Sequence, residues 1–186
     1  MTPHTNPWQI RDTREIYDNN WIRVTEYDVI NPSGGNGIYG KVHFKNRALG
    51  ILVLDDELNI YLVGQYRFVL DQYSWEIPEG GGPLDENPLD AAKRELKEET
   101  GLTADHWEKL LDFHLSNSIS DEFGHVYLAR GLHQGEARPE ETEDITVKKV
   151  PLEQAYQMVI NGEITDSMSV AAIFRVKLLV QERHSL

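Results

Sequence analysis

Residues Gly80 to Leu102 read GGGPLDENPLDAAKRELKEETGL. The glycines are followed by a predicted helix with a full set of boundary signals. Asn87 suits the N-cap, Pro88 the first helical position, and Gly101 the residue just past the end. At ~100° per residue, Glu98 falls ~60° to one side of Glu95 and Glu99 ~40° to the other, so the three carboxylates share one face. Ala91 and Ala92 lie on that face a turn earlier, and their small side chains are expected to leave room for a ligand. Leu89 and Leu96 turn toward the core, Lys93 and Lys97 to the back, and Arg94 can steady a carboxylate. Three like charges on one turn repel by a few tenths of a kcal/mol per pair when exposed. A hard divalent cation such as Mg²⁺ removes that penalty. The spacing alone admits two readings: a cation site, or a solvated acidic face flanked by lysines. The triple glycine favours the first, because backbone without Cβ atoms approaches a ligand closely.

Outward from this helix the chain reads as strands with few helices. Alternation marks Trp21–Ile30, the cluster Asn31–Gly37 marks a turn, and Ile38–Phe44 reads as the next strand. Ala48–Leu54 and Asn59–Phe68 bracket the turn Asp55-Asp56-Glu57, and Trp75–Pro78 is a short strand leading into the glycines. Lys109–Ser116, Phe123–Arg130 and Asp144–Val150 read as further strands. Helices are expected from Pro151 to about Asn161, closed by Gly162, and from an Asp166 or Ser167 cap to about Glu182. Residues 1–20 are polar and read as irregular, with Trp8 and Ile10 as anchors. The strands do not alternate strictly with helices, which suggests α+β, an α-β-α sandwich, over a doubly wound sheet. Residues 1–45 form a detachable β arm and 46–186 the main domain.

Gly80, five residues, Glu86, seven residues, then Arg94-Glu95-Leu96-Lys97-Glu98-Glu99-Thr100-Gly101-Leu102 resembles the Nudix box, with every fixed position filled. The resemblance implies the Nudix fold, with a mixed sheet between helices, and hydrolysis of a nucleoside diphosphate linked to another moiety. Gln65-Tyr66-Arg67, Trp75-Glu-Ile-Pro-Glu-Gly80, Ser120-Asp121-Glu122, Glu140–Ile145 and Val150–Ala155 are similar to segments of the ADP-ribose and nucleoside-diphosphate-sugar pyrophosphatases. Many ADP-ribose enzymes carry a Ser-Pro-Gly stretch past the box. Here it is Ser116-Asn117-Ser118, which leaves other nucleotide sugars open as substrates.

Carried over by position, the resemblance implies metal ligation by Glu95, Glu99 and the backbone carbonyl of Glu79. Glu98 is a further ligand, or stands just behind the ligands with a catalytic part. Glu141 is the expected catalytic base and Glu143 another ligand, with Glu140 the runner-up for the base. Arg67 is expected to meet a phosphate and Glu76 the base or sugar. Trp8 and Tyr27 are expected to stack on the base, with Trp21 a further candidate. The implied cofactor is Mg²⁺, with Mn²⁺ able to substitute, and the implied assembly is a homodimer through the arm. Other pyrophosphates, such as a dinucleoside polyphosphate or coenzyme A, remain open. So does a domain that binds ADP-ribose without cleaving it, although Glu95, Glu98 and Glu99 are all retained.

The 186 residues carry a net charge of −13 and no cysteine. Disulfides, thiolate catalysis and Cys-based zinc sites are thereby excluded, and a nucleic-acid partner is not expected. A phosphorylated small substrate remains compatible if cations stand between it and the protein. The seven histidines have no zinc-like spacing. Ala48–Leu54, the longest apolar run, is far below the ~18 residues of a membrane helix. No signal peptide is visible, so a cytoplasmic setting is expected.

Overall fold

The computed structural model describes residues 5–137 and 144–184. Two compact units emerge. The first runs to Asn46 and takes in His114–Glu122; the second takes Arg47–Phe113 and the chain from Phe123 onward.

The first unit is an antiparallel meander of β1 (Gln9–Asp18), β2 (Ile22–Ile30) and β3 (Asn36–Phe44). Both of its turns are built by asparagine. Asn19 Oδ1 accepts the amides of Trp21 (2.9 Å) and Ile22 (2.8 Å), and Asn31 Oδ1 those of Ser33 and Gly35 (both 3.0 Å). The reading of residues 1–20 as irregular is corrected by β1. All ten of its residues are exposed, so no alternation betrays the strand. Its order comes from the ladder to β2 and from cross-strand ion pairs, Arg14 with Glu26 and Asp28, and Arg23 with Asp18. On its other side β3 bonds a returning segment, with Val42 N–H donating to Ile119 O (2.9 Å) and Asp121 N–H to Val42 O (3.1 Å).

The second unit contains two sheets and three helices, an α+β architecture with parallel and antiparallel pairs. Four strands lie in the order β7 (Glu79–Pro83), β4 (Asn46–Val53), β9 (Phe123–Gln134), β8 (Leu102–His114), with β4 and β9 parallel. Leu49 to Val53 are buried in succession, the pattern of a strand covered on both faces. The second sheet is antiparallel, in the order β10 (Thr146–Pro151), β5 (Asn59–Arg67), β6 (Gln72–Glu76).

Helix α1 (Pro88–Thr100) packs on β7; α2 (Leu152–Ile160) packs on α3 (Ser167–His184) and on β5 and β10. The expected caps are present. Asn87 Oδ1 accepts the amides of Leu89 and Asp90, and Gly101 closes α1 at φ 73°, its N–H donating to Lys97 O. Asp166 caps α3, with its Oδ2 accepting Ser169 N–H at 2.7 Å.

The glycine cluster is strand β7, because β4 gives its backbone a ladder that outweighs the weak strand preference of glycine. One expectation is corrected: Ala91 and Ala92 leave no room for a ligand. They are fully buried with Leu49, Ile51, Val53 and Leu96, and their small size lets α1 approach the sheet. No helix among the described residues is long and apolar enough to cross a membrane.

Candidate active site

The carboxylate face forms where α1 lies close against β7. At Gly80 a Cβ would stand 2.2 Å from Glu95 Cδ and 2.3 Å from Oε2, so the absent side chain makes the space in which the Glu95 carboxylate sits. Glu99, one turn on, is buried to 2% exposure and its Oε2 accepts the N–H of Glu79 at 3.1 Å. Glu98 is more open. Arg94 Nη1 bridges the face, donating to Glu95 Oε1 (2.8 Å) and Glu98 Oε2 (2.9 Å), while Nη2 reaches Glu86 Oε2 and Gly81 O (both 3.4 Å). Partial burial works against the Arg94 charge, but Glu95 and then Glu98 outweigh it and hold the guanidinium charged.

Among the described residues, no three His, Asp or Glu side chains gather as a metal-binding group. Arg94 holds Glu95 and Glu98, and Glu99 turns back to the strand. The donors nonetheless fit a hard divalent cation: carboxylate oxygens at i, i+3 and i+4, set against a strand whose Gly80 has been emptied for one of them. Glu140, Glu141 and Glu143 lie outside the described residues.

Behind this face is a second group of charges that the sequence did not announce. Glu79 extends its carboxyl toward α3, where Ser169 Oγ donates to Oε1 at 3.0 Å. Burial, then the neighbouring Asp166 and Glu76 carboxylates, push the Glu79 carboxyl well above its ordinary range, against the Ser169 bond. Arg67 is opposite Gln72 and Glu76 opposite Val63, four positions further along the β5–β6 ladder, so the long Arg67 side chain has to reach along the hairpin to Glu76. The Arg67 guanidinium binds both Glu76 oxygens, with Nε at 3.0 and 3.1 Å and Nη2 closer still. That bond raises the Arg67 pKa against the opposing effect of burial. The two residues expected to meet substrate separately are thus one ion pair, with Glu76 only 4% exposed. Asp166 entered the sequence reading only as a helix cap. Ser169 left no signal there, since a serine inside an apolar helix looks like any tolerated polar residue.

Trp8 and Tyr27 lie in the first unit, where they line a cavity of about 390 Å³ with Ile10, Val29, Tyr39 and Lys41. Trp8 meets Tyr39 edge to face at 5.2 Å between ring centres. Trp21 is 65% exposed and does not line it. At the rim, Asp121 accepts from Lys41 Nζ, His43 Nδ1 and Phe44 N–H. Partial burial raises its pKa, but these three bonds prevail and bring it down to about 2.

Residues 44–169 match the family model described as NUDIX domain, and residues 8–42 match that of the nucleoside diphosphate sugar hydrolase N-terminal domain. An ADP-ribose pyrophosphatase of Mycobacterium tuberculosis is 37% identical over 155 residues, covering 80% of this chain and 73% of that protein. A methanol dehydrogenase activator of Bacillus methanolicus is 31% identical over 174 residues, 92% of this chain and 94% of that protein. The crystal structure of an ADP compounds hydrolase aligns over the full length of both chains with a TM-score of 0.87 at 19% identity, a likeness of fold.

Proposed function

The chain belongs to the Nudix family as an ADP-ribose-pyrophosphatase-like hydrolase, and from this premise we propose that it cleaves nucleoside diphosphate sugars, ADP-ribose among them, to a nucleoside monophosphate and a sugar phosphate. The observation that carries the proposal is the Gly80–Glu95 fit. A glycine of the box leaves the space that a glutamate of the box fills, which supports a carboxylate face held against the strand.

Glu95, Glu99, Glu143 and the Glu79 carbonyl would hold divalent cations, Mg²⁺ or Mn²⁺, with Glu98 beside them. Bound there, the cations would offset the diphosphate charge and favour ionisation of water. Glu141 would take the proton of the attacking water as its oxygen bonds to one phosphorus, in line with the bridging oxygen. The bridging P–O bond breaks and its electron pair leaves with the departing phosphate. Arg67, ion-paired with Glu76, would meet a phosphate, and Trp8 and Tyr27 would stack on a base.

A phosphate-release assay coupled to a phosphatase tests this over ADP-ribose, other nucleotide sugars, dinucleoside polyphosphates and coenzyme A. Release from the nucleotide sugars, lost on exhaustive EDTA treatment and restored by Mg²⁺ or Mn²⁺, is expected. Release that is confined to the other substrates, or that survives EDTA, refutes the proposal. The working assembly is a cytoplasmic homodimer through the arm. Light scattering should report twice the 21.3 kDa of one chain, and the single-chain mass at micromolar concentration refutes it.

A further inference from the structure

We infer that Ser169, on α3, is a positioning residue for the carboxylate face: its hydroxyl fixes residues 77–79, the bend from β6 into β7, from which Glu99 is held. The inference rests on the reading above, that this face binds divalent cations.

Ser169 is fully buried. Its Oγ accepts the N–H of Ile77 at 2.9 Å and donates to Glu79 Oε1 at 3.0 Å. One hydroxyl therefore grips the chain on both sides of Pro78. The serine is itself immobilised, since Asp166 Oδ2 accepts its amide in the first turn of α3. From the opposite side Pro78 O accepts the N–H of Ile51, a buried residue in the middle of β4, at 2.8 Å. Residues 77–79 are thus held between a helix and a central strand. Their next contact is the carboxylate face: Glu79 N–H donates to Glu99 Oε2, and Gly80 leaves the space filled by Glu95. A shift of a few tenths of an ångström at Ile77 moves the donor that aims Glu99 and the wall that bounds Glu95.

Packing alone does not need the hydroxyl. An alanine would fill most of the volume, but it would leave the Ile77 amide and the Glu79 carboxyl buried without the group that joins them. The segment would then relax, and the cost would fall on cation affinity. Outer groups that orient ligands typically change metal affinity by 10–100-fold when removed.

The test uses the full chain in three variants: S169A, S169T, which keeps the hydroxyl, and V176A, which removes buried methyl groups from the same helix two turns on. Free Mn²⁺ is titrated into substrate-free protein and followed by electron paramagnetic resonance. The Mg²⁺ needed for half-maximal rate and the melting temperature are measured in parallel. S169A is expected to weaken Mn²⁺ binding about tenfold and to raise the Mg²⁺ requirement to match. S169T is expected to restore both. V176A is expected to lower the melting temperature and leave Mn²⁺ affinity at the wild-type value. If S169A does not fold, S169C replaces it, with sulfur as a weak acceptor. The inference is overturned if S169A only lowers the melting temperature, if V176A weakens Mn²⁺ equally, or if S169T behaves as S169A. Wild-type protein that binds no Mn²⁺ overturns the proposed function and this inference together. Wild-type binding that S169A leaves unmoved overturns this inference alone.

Discussion

The carboxylate of Glu95 lies where a side chain at Gly80 would begin, with its Cδ 2.2 Å from the Cβ position. The two residues are fifteen apart in sequence and belong to different elements, β7 and α1. Their fit makes the backbone of β7 one wall of the carboxylate face and sets how close the helix can come.

G80A should therefore separate activity from stability. The atoms that an alanine Cβ would meet are the far end of a flexible side chain, which can rotate away. Stability should change by less than ~1 kcal/mol. The displaced Glu95 should cost about 10- to 100-fold in rate at limiting Mg²⁺. A variant that melts far lower, or one with wild-type kinetics, shows that the fit is not what matters.

E99Q should behave as a lost ligand in a sound protein. The amide oxygen of glutamine can still accept the Glu79 N–H that Glu99 accepts now, so the fold keeps that bond. One of three like charges is removed, so the metal-free protein should melt at the same temperature or higher. The kcat should fall by at least ~10²-fold. A large drop in the melting temperature of the metal-free protein would make Glu99 a structural residue instead.

For the loop glutamates the discriminating measurement is a Mg²⁺ titration of rate for E140Q, E141Q and E143Q side by side. E141Q should lose ~10²–10⁴-fold in kcat, the range for a missing general base, with an unchanged Mg²⁺ requirement. E143Q should raise that requirement. If E140Q loses the rate and E141Q keeps it, the base is the neighbouring residue.

Asp121 gives a stability effect with a defined sign. Its folded pKa of about 2 lies below the ordinary aspartate value of 3.8, so it contributes stability above the unfolded pKa and loses it as pH falls through the folded one. D121N should melt below wild type at pH 6, and the gap should close between about pH 4 and pH 2. A gap that is the same at pH 2 and pH 6 removes Asp121 from the account.

Much of this was legible in the sequence because the signals were local. Asn87 and Gly101 mark both ends of α1, and 100° per residue places Glu95, Glu98 and Glu99 together without any tertiary information. What escaped depends on partners distant in sequence. The ten exposed residues of β1 carry no periodicity and become a strand only through β2. Ala91 and Ala92 looked like empty space because helix geometry alone does not say which side the sheet covers. Arg67 meets Glu76 although the ladder places it opposite Gln72, and Ser169 acquires its role from residues about ninety positions earlier.

The first unit is assembled from two separate lengths of chain. Beyond the Val42–Ile119 bond, Tyr39 donates its hydroxyl to Ser118 O at 2.6 Å, and Phe44 N–H donates to Asp121 Oδ1 at 3.0 Å. A single genetic crossover after Asn46 would pass on three strands without the segment that finishes the last of them, leaving an open edge. The recipient would keep an excursion between β8 and β9 with nothing to bond. An exchange of arms that carried only one of the two pieces would leave backbone bonds of the other unmade.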